Sequence, residues 1–340
     1  CEKWGADLLR LWVASQDYHS DVRMSKNGMT QLSEAYFKIR NTFRFALGNL
    51  SDFDPARDSV ADTSLVEIDR WMLGRTGRLL ANCMEWYKNF DFHRVYHAVY
   101  DFCVVDLSAF YFDILKDRLY TFAPKGCPRR SAQTAIYRIA STLARLLAPI
   151  LAFTADEIWQ YLPREEGAPA DIHLSLFPPG QFCSFPDEAL DARWGHLLEV
   201  RAAVLKSLEQ ARAAKQINSG LEARVELSAD SALEPLLRDY ADWLPTLFIV
   251  SQVELTNGNS PTGAASETMP GLGVTVHRAL GKKCERCWNY SLRVGENTDY
   301  PTVCERCVAA LEEIESYSGP SGTAGTSDTP GSSGTADANS

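Results

Sequence analysis

The sequence has no long apolar run and no apolar N-terminal segment of the kind that directs secretion. We therefore expect a cytoplasmic protein with neither a membrane-spanning helix nor a signal peptide, and no membrane partner. A glycine-rich phosphate loop is missing, which argues against a nucleotide site within these residues. Excess positive charge is missing too. The formal net charge is −10 over 340 residues, so any RNA site must be a local basic surface.

Two Cys-x2-Cys pairs stand near the C-terminus. Their members are Cys284, Cys287, Cys304 and Cys307. The stretch between the pairs is long enough for a short two-stranded ribbon, turning at Gly295 and Asn297, that returns the second pair to the first. Four thiolates can then form a tetrahedron with no open position, which favours one structural Zn²⁺ ion per chain. Two disulfides or four unrelated thiols are the alternatives, and disulfides would need an oxidising compartment.

The remaining cysteines follow no pairing pattern, and we expect small buried residues in a reducing compartment. They are Cys1, Cys83, Cys103, Cys127 and Cys183. His93 and His97 lie four residues apart, a spacing that can bind a metal on one helix face. We assign the pair no acidic or cysteine partner, so a packed or surface pair is favoured.

Long amphipathic segments with short polar connections predict an α-helical bundle. The predicted helices span about 30–50, 64–89, 92–120, 130–146 and 154–162. Pro149 should end or kink the fourth helix, because proline lacks a backbone donor. Thr154 and Glu157 fit a capping box at the start of the fifth helix, and Phe153 with Ile158 fits a hydrophobic staple.

A linker rich in proline and glycine follows at 165–186, and it leads into a smaller α/β unit. That unit has predicted helices at about 191–214 and 233–243 and strands at about 225–227, 248–255 and 274–280. After Glu315 the chain has no aliphatic residue larger than alanine and should be disordered. The predicted fold class is mainly α: a helical bundle, a small α/β domain and a four-cysteine zinc ribbon.

Six segments of this chain occur in the same order as in a known family. They are GADLLRLW (5–12), LSEAYFKIRNTFRF (32–45), DLSAFYFDILKDRLYT (106–121), APILAFTADEIW (148–159), LEARVEL (221–227) and the CERCW…CERC ribbon. Together they resemble the C-terminal half of bacterial isoleucyl-tRNA synthetases, which are class I aminoacyl-tRNA synthetases. The fourth segment also occurs in the valine, leucine and methionine enzymes, whereas KDRLYT and the ribbon indicate the isoleucine enzyme.

The resemblance implies a helical anticodon-binding domain, a junction domain and a zinc domain that serve the tRNA for isoleucine, tRNA(Ile). We assign the chain on this basis to six parts: the end of the catalytic and stem-contact region (1–28), the anticodon-binding bundle (29–165), a linker (166–190), the α/β junction domain (191–280), the zinc ribbon (281–315) and a tail (316–340).

The family's catalytic core, ATP motifs and editing domain precede the first matched segment. No HIGH-like tetrapeptide occurs in this sequence, and RMSK at 23–26 follows GADLLRLW, so it is not the ATP-loop lysine motif. The chain has no initiator Met, and we expect an absent N-terminal half. The resemblance thus implies a monomeric isoleucine–tRNA ligase whose isoleucine, ATP and Mg²⁺ act in that absent half. It predicts no catalytic residue and no activity for this chain alone. The alternatives are a stand-alone zinc-containing RNA-binding protein without ligase activity and a zinc-stabilised scaffold.

Candidate RNA-binding residues are basic and aromatic, because splayed bases are held by stacking, arginine planes and phosphate contacts. In the bundle they are Lys38, Arg40, Arg44, Lys125, Arg129 and Arg130. In the zinc module they are Lys282, Lys283, Arg286, Trp288 and Arg306. Each of these basic side chains could instead be solvated, and Trp288 could pack against the junction domain. Lys116 and Arg118 have acids nearby and could form internal ion pairs.

Overall fold

The computed structural model describes residues 4–19, 21–22, 24–177, 182, 185, 187–256, 264–265 and 269–317. Cys1, Arg23, Cys183, most of the loop at 257–268 and the tail from residue 318 lie outside these ranges, as do the predictions made for them. Within the described ranges, no helix combines the length and the apolar character needed to cross a bilayer.

The bundle contains the predicted helices. Its elements are α1 (Ala6–Ser15), α2 (Lys26–Asn49), α3 (Pro55–Asp58), α4 (Glu67–Lys88), α5 (Phe92–Asp101), α6 (Phe112–Thr121), α7 (Cys127–Leu147) and α8 (Ala152–Tyr161). A π-helical segment, Phe102–Tyr111, joins α5 to α6, so the predicted third helix is continuous but wider in its middle. α7 is buried on almost every side because alanine, serine and threonine alternate there with larger apolar residues.

The predicted capping box of α8 is wrong. Asp7 of α1 caps this helix instead: its carboxylate accepts the backbone N–H of Thr154 at 2.7 Å and that of Phe153 at 3.3 Å. Thr154 and Glu157 both lie inside the helix rather than at its cap. Phe153 is 69% exposed, so it forms no staple with Ile158. A carboxylate from a distant helix has replaced the local signal.

A buried ion pair joins α4, α6 and α7. The Arg118 guanidinium donates to both carboxylate oxygens of Asp69, with Nη2–Oδ1 at 2.6 Å and Nη1–Oδ2 at 2.9 Å. The hydroxyl groups of Tyr111 and Ser131 donate to the same carboxylate at 2.8 and 2.5 Å. These four bonds compensate for the desolvation of both charges. The prediction of an internal ion pair for Arg118 is confirmed, although its partner is distant in sequence.

The α/β unit has a four-stranded sheet with the order β2-β1-β4-β3. Its strands are β1 (Ala223–Ala229), β2 (Gln252–Thr256), β3 (Ala264–Ala265) and β4 (Leu272–Arg278). Its helices are α9 (Glu188–Ala213), α10 (Glu234–Asp239) and α11 (Leu244–Phe248). β1 pairs parallel with β2 and antiparallel with β4. Trp194 of α9 stacks on Trp71 of α4 with ring centroids 4.9 Å apart, which joins this unit to the bundle.

The C-terminal module contains β5 (Lys282–Lys283), β6 (Tyr290–Ser291) and α12 (Glu305–Tyr317). The two short strands pair antiparallel. They flank the first cysteine pair, so the predicted ribbon between the two pairs is misplaced. The turn at 295–297 is confirmed: Gly295 has φ 104°, and Asn297 Oδ1 accepts the N–H of Asp299 and of Tyr300. The helix α12 continues to Tyr317, two residues into the stretch predicted as disordered.

Candidate metal centre and RNA-binding surface

The four predicted sulfur ligands come together. Their Sγ atoms all lie within 4.8 Å of one another, and those of Cys287 and Cys304 are 3.6 Å apart. A tetrahedral site with Zn–S bonds of about 2.3 Å needs sulfurs about 3.8 Å apart. Cys284, Cys304 and Cys307 are each at most 3% exposed. The donor set, the spacing and the burial fit a closed four-sulfur metal site.

Backbone hydrogen bonds hold the first cysteine pair in a tight turn. The N–H of Trp288 donates to Cys284 O at 3.0 Å, and the N–H of Cys284 donates to Asn289 O at 2.8 Å. Trp288 has φ 66°, a conformation rare for residues with a side chain. The second pair is joined to the first through the N–H of Cys304, which lies 3.3 Å from Cys284 Sγ. These hydrogen bonds therefore hold the two cysteine pairs next to each other.

One thiol of the cluster is strongly acidic. Hydrogen bonds from Cys304 and then Cys307 hold the pKa of Cys287 far below its ordinary value. The same contact with Cys287 raises the pKa of Cys304 to about 11 and raises that of Cys307 as well. The contacts among the sulfurs thus favour a thiolate, the form that ligates metal, at Cys287, and they favour the protonated thiol at Cys304 and Cys307.

Arg286 and Arg306 lie beside these sulfurs and against the end of α6. Arg286 donates to Thr121 O, and Arg306 donates to both carboxylate oxygens of Asp117, with Nη2–Oδ1 at 2.9 Å. Burial alone would lower the pKa of Arg306, but Asp117 and then Cys287 raise it above its ordinary value. Their guanidinium groups therefore join the cysteine module to the bundle, and the RNA-binding assignment of these two arginines stays a prediction.

Arg129 and Arg130 are also held inside the chain. Arg129 donates to Asp52, with Nη1–Oδ2 at 2.6 Å, and its side chain is only 14% exposed. Arg130 is buried and donates to Asp52 O at 3.0 Å and to Gln133 Oε1 at 2.8 Å. Burial and internal pairing leave little of either group for a phosphate, and the RNA-binding assignment of these two arginines also stays a prediction.

The other basic residues of the bundle that are RNA-binding candidates stay at its surface. Lys38 Nζ lies 3.2 Å from the Tyr100 hydroxyl, and Arg40 pairs with Glu157 at 3.0 Å. Arg44 is exposed, and Lys125 Nζ lies 5.4 Å from the ring centroid of Tyr317. Lys116 pairs with Asp113 at 2.7 Å, as predicted.

The first cysteine pair presents an aromatic and basic surface. Trp288 is 61% exposed, so the alternative that it packs against the junction domain is wrong. Lys283 Nζ lies 5.3 Å from the centroid of its indole ring, within cation–π range. Lys282 is exposed on the same short strand. These three side chains are available to a single-stranded nucleic acid.

The other cysteines and histidines behave mostly as expected. Cys83 and Cys103 are buried, and burial raises the pKa of each thiol to about 12. Cys127 is exposed, which contradicts the expectation of burial. His93 Nδ1 is buried without a hydrogen-bond partner. Among the described residues, the four-cysteine cluster is the only group of three or more potential metal ligands that lie close enough to share an ion.

Two family models match this chain. One is described as "Anticodon-binding domain of tRNA ligase" and matches residues 69–227, from α4 into β1. The other is described as "Zinc finger found in FPG and IleRS" and matches residues 281–310, which include all four clustered cysteines.

Curated relatives match nearly the whole chain. Isoleucine–tRNA ligase of Syntrophotalea carbinolica is 50% identical over 317 residues, which cover 92% of this chain and 33% of that protein. The chain belongs to the isoleucine–tRNA ligase family. The ligases of Moorella thermoacetica and Geobacter sulfurreducens are 47% and 45% identical, and the matches cover 34% and 33% of their lengths. The chain therefore spans about a third of the ligases it matches, in their C-terminal part.

A solved structure is also similar, though weakly. The LeuRS–tRNA–LeuAMS ternary complex of Agrobacterium radiobacter gives a TM-score of 0.41 at 12% identity, covering 82% of this chain and 30% of that chain. The family membership is consistent with two features of the structure, a helical bundle with basic residues at its surface and a closed four-sulfur cluster.

Proposed function

We propose that this chain is the tRNA(Ile)-binding part of an isoleucine–tRNA ligase. The observation that carries the proposal is the 50% identity to such a ligase across 92% of the chain. The complete enzyme attaches isoleucine to its tRNA with ATP and Mg²⁺, in the cytoplasm and as a monomer. Residues 1–340 bind and position the anticodon arm, and on their own they catalyse no aminoacylation.

The cysteine cluster holds one structural zinc ion in this proposal. The spacing of the sulfurs and the match to a zinc finger found in IleRS support it. Four sulfur ligands leave no coordination position for a substrate, so the ion stabilises the module and takes no chemical role. Arg286 and Arg306 offset the negative charge that four thiolates leave on the site.

The RNA surface comprises six exposed candidates together with Arg40, whose side chain is 40% exposed beside Glu157. They are Lys38, Arg40, Arg44, Lys125, Lys282, Lys283 and Trp288. The lysines and arginines contact phosphates, and Trp288 offers a stacking surface for a base in a single-stranded loop. Because the whole chain is acidic, this local surface must supply the attraction.

The test is a titration of the chain with unmodified tRNA(Ile) transcript at increasing salt. Each phosphate contact should contribute a slope of about −0.7 to −0.9 in log affinity against log salt. Lys38→Ala should reduce that slope by roughly one contact. Lys88→Ala is the matched control, since Lys88 is an exposed lysine of α4 that pairs with Glu85. A flat salt response, with equal affinity for a valine tRNA, would favour the scaffold alternative instead.

A different observation distinguishes the stand-alone RNA-binding protein from the ligase. An open reading frame that continues upstream of Cys1 and encodes a HIGH motif supports the ligase. A stop codon followed by a start near Cys1 supports the stand-alone protein.

A further inference from the structure

The two cysteine pairs share one sequence. Residues 284–287 and 304–307 both read Cys-Glu-Arg-Cys, so each pair has an arginine between its two sulfur ligands. Four thiolates complete a closed zinc site without help from the residues between them. Ligation alone therefore does not explain Arg286 and Arg306, the two arginines of the repeat.

Each of these arginines contacts a sulfur of the opposite pair. Arg306 makes a side-chain hydrogen bond with Cys287, and Arg286 makes one with Cys307. A guanidinium group has five N–H donors and no acceptor, so in both bonds the arginine donates and the sulfur accepts. A thiolate that ligates a metal can still accept such a bond. The two pairs are therefore joined crosswise without the loss of a ligand.

The same two arginines are anchored at the end of α6. Arg306 donates to both carboxylate oxygens of Asp117, and Arg286 donates to Thr121 O. The guanidinium carbon of Arg306 also lies 5.8 Å from the ring centroid of Phe122. Asp117 is itself held, because Thr121 Oγ1 donates to its Oδ1 at 3.1 Å. Each guanidinium group thus lies between a sulfur of the cysteine module and α6 of the bundle.

The charge of a loaded site favours these contacts. One Zn²⁺ ion with four thiolates carries a net charge of about −2, which two guanidinium groups compensate. Hydrogen bonds to the ligands from outside the ligand set orient them, and the loss of such a partner typically weakens metal binding by roughly 10- to 100-fold. A free arginine side chain is mobile, so anchoring on α6 reduces the entropy that is lost when it hydrogen-bonds a sulfur.

We propose that Arg286 and Arg306 are positioning residues of the metal site and that they couple zinc affinity to docking of the cysteine module on α6. Docking directs each guanidinium group at a sulfur, and the metal in turn holds both arginines where α6 can bind them. Such coupling is reciprocal, so a contact that strengthens docking strengthens zinc binding by the same factor. Asp117, which lies outside the four-cysteine cluster, therefore influences the metal. This inference rests on the proposed zinc ion and names residues that set its affinity.

Asp117→Asn tests the coupling without altering a sulfur or an arginine. The amide lacks the charge that anchors Arg306 and retains the Oδ1 atom to which Thr121 donates. Asp113→Asn is the matched control, because Asp113 lies on the same helix and its ion pair is with Lys116, at 2.7 Å.

Arg306→Met removes the sulfur contact directly. Arg293→Met is its matched control, because Arg293 is an exposed arginine of the same module and pairs with Glu296 at 2.7 Å. Circular dichroism of all variants verifies that the bundle remains helical.

The measurement is the zinc affinity of the complete 340-residue chain, obtained by competition with a chelator whose absorbance reports its bound metal. Asp117→Asn should weaken zinc binding by roughly 5- to 30-fold, the range of a coupling of ordinary strength. Arg306→Met should weaken it by roughly 10- to 100-fold. Both control variants should bind zinc as the unaltered chain does.

A charge exchange separates the sulfur contact from docking alone. The double variant Arg306→Asp, Asp117→Arg restores opposite charges at the junction, but position 306 no longer offers a donor to Cys287. Zinc affinity should therefore stay low in this variant. Full recovery of the affinity would overturn the positioning role, because docking by itself would then account for the effect of Arg306.

The failure of this inference and the failure of the proposed zinc ion are distinguishable. If the unaltered chain binds no zinc, the proposed ion fails and the coupling fails with it. If the unaltered chain binds one zinc ion, and Asp117→Asn and Arg306→Met bind it equally well, the coupling is refuted while the proposed ion stands.

Discussion

The contact between Arg306 and Asp117 offers a direct test of how the cysteine module is attached. Arg306→Asp places two carboxylates opposite each other, and Asp117→Arg places two guanidinium groups there. The double variant restores opposite charges with the partners exchanged. If the arginine serves to join module and bundle, each single variant should loosen the junction and the double variant should tighten it again.

The free energy that the Arg306–Asp117 contact contributes follows from its hydrogen bonds and its exposure. Arg306 donates two charge-assisted hydrogen bonds to Asp117, each worth about 1.5–3 kcal/mol in a buried setting. The two side chains are 38% and 26% exposed, so solvent screening reduces the total to about 1–2 kcal/mol. That corresponds to a change of roughly 5- to 30-fold in the ratio of attached to detached module.

Hydrogen exchange measured by mass spectrometry shows how often the junction between module and bundle opens. Peptides that contain residues 117–126 and 305–317 should exchange faster in each single variant by about the same factor and should recover in the double variant. Zinc content is measured alongside, because Arg306 also contacts Cys287, and a variant that retains one zinc per chain reports on the junction alone. Affinity for tRNA(Ile) should follow the exchange data.

The competing explanation gives a different pattern. If Arg306 contacts a phosphate, the double variant still lacks a basic side chain at position 306. RNA affinity then stays low, although the hydrogen-exchange rates recover. Unchanged exchange in the single variants would refute the docking role altogether.

Three further predictions concern the fold and the metal. Arg118→Met leaves Asp69 buried without its cation, so the free energy of unfolding, measured by urea titration, should fall by about 3–5 kcal/mol, whereas Lys116→Met should change it by less than about 1 kcal/mol. Asp7→Ala removes the cap of α8 and should cost about 0.5–2 kcal/mol in the same assay; no change would mean that water replaces the carboxylate. Cys284→Ser should lose the bound zinc, measured by atomic absorption, and unfold the terminal module while the bundle stays helical. Cys127→Ser should do neither, and one retained zinc in Cys284→Ser would contradict the four-sulfur site.

Helices with a clear apolar period were predictable from the sequence. In α2, Leu32, Ile39 and Phe43 repeat at helical spacing, and the structure buries them on one side. Its start was placed four residues late, although Ser25 supplies the usual signal: its hydroxyl accepts the N–H of Gly28 at 3.0 Å. The π-helical segment had no local signal, because every residue in it is compatible with an ordinary helix.

The cap of α8 shows where local rules fail. Thr154 and Glu157 have the spacing of a capping box, but the helix already begins at Ala152, so the threonine lies inside it, and the carboxylate of Asp7 accepts the free N–H groups of Phe153 and Thr154. The competing group lies 147 residues away in the chain. The four-cysteine cluster, in contrast, is encoded almost entirely by the spacing of its ligands, and that part of the site was predictable.

The basic residues were the least predictable part, and the reason is chemical. A guanidinium group binds a carboxylate and a phosphate with the same donors, so the sequence cannot distinguish an internal ion pair from an RNA contact. The decisive partners are distant: Asp52 lies 77 residues from Arg129, and Asp117 lies 189 residues from Arg306. When the internally paired arginines are set aside, the remaining basic candidates lie on α2, at position 125 and on the turn of the first cysteine pair. The internal pairs also neutralise Asp52 and Asp117, so arginines that are satisfied inside the chain still lower the negative charge that the bundle presents to an anion.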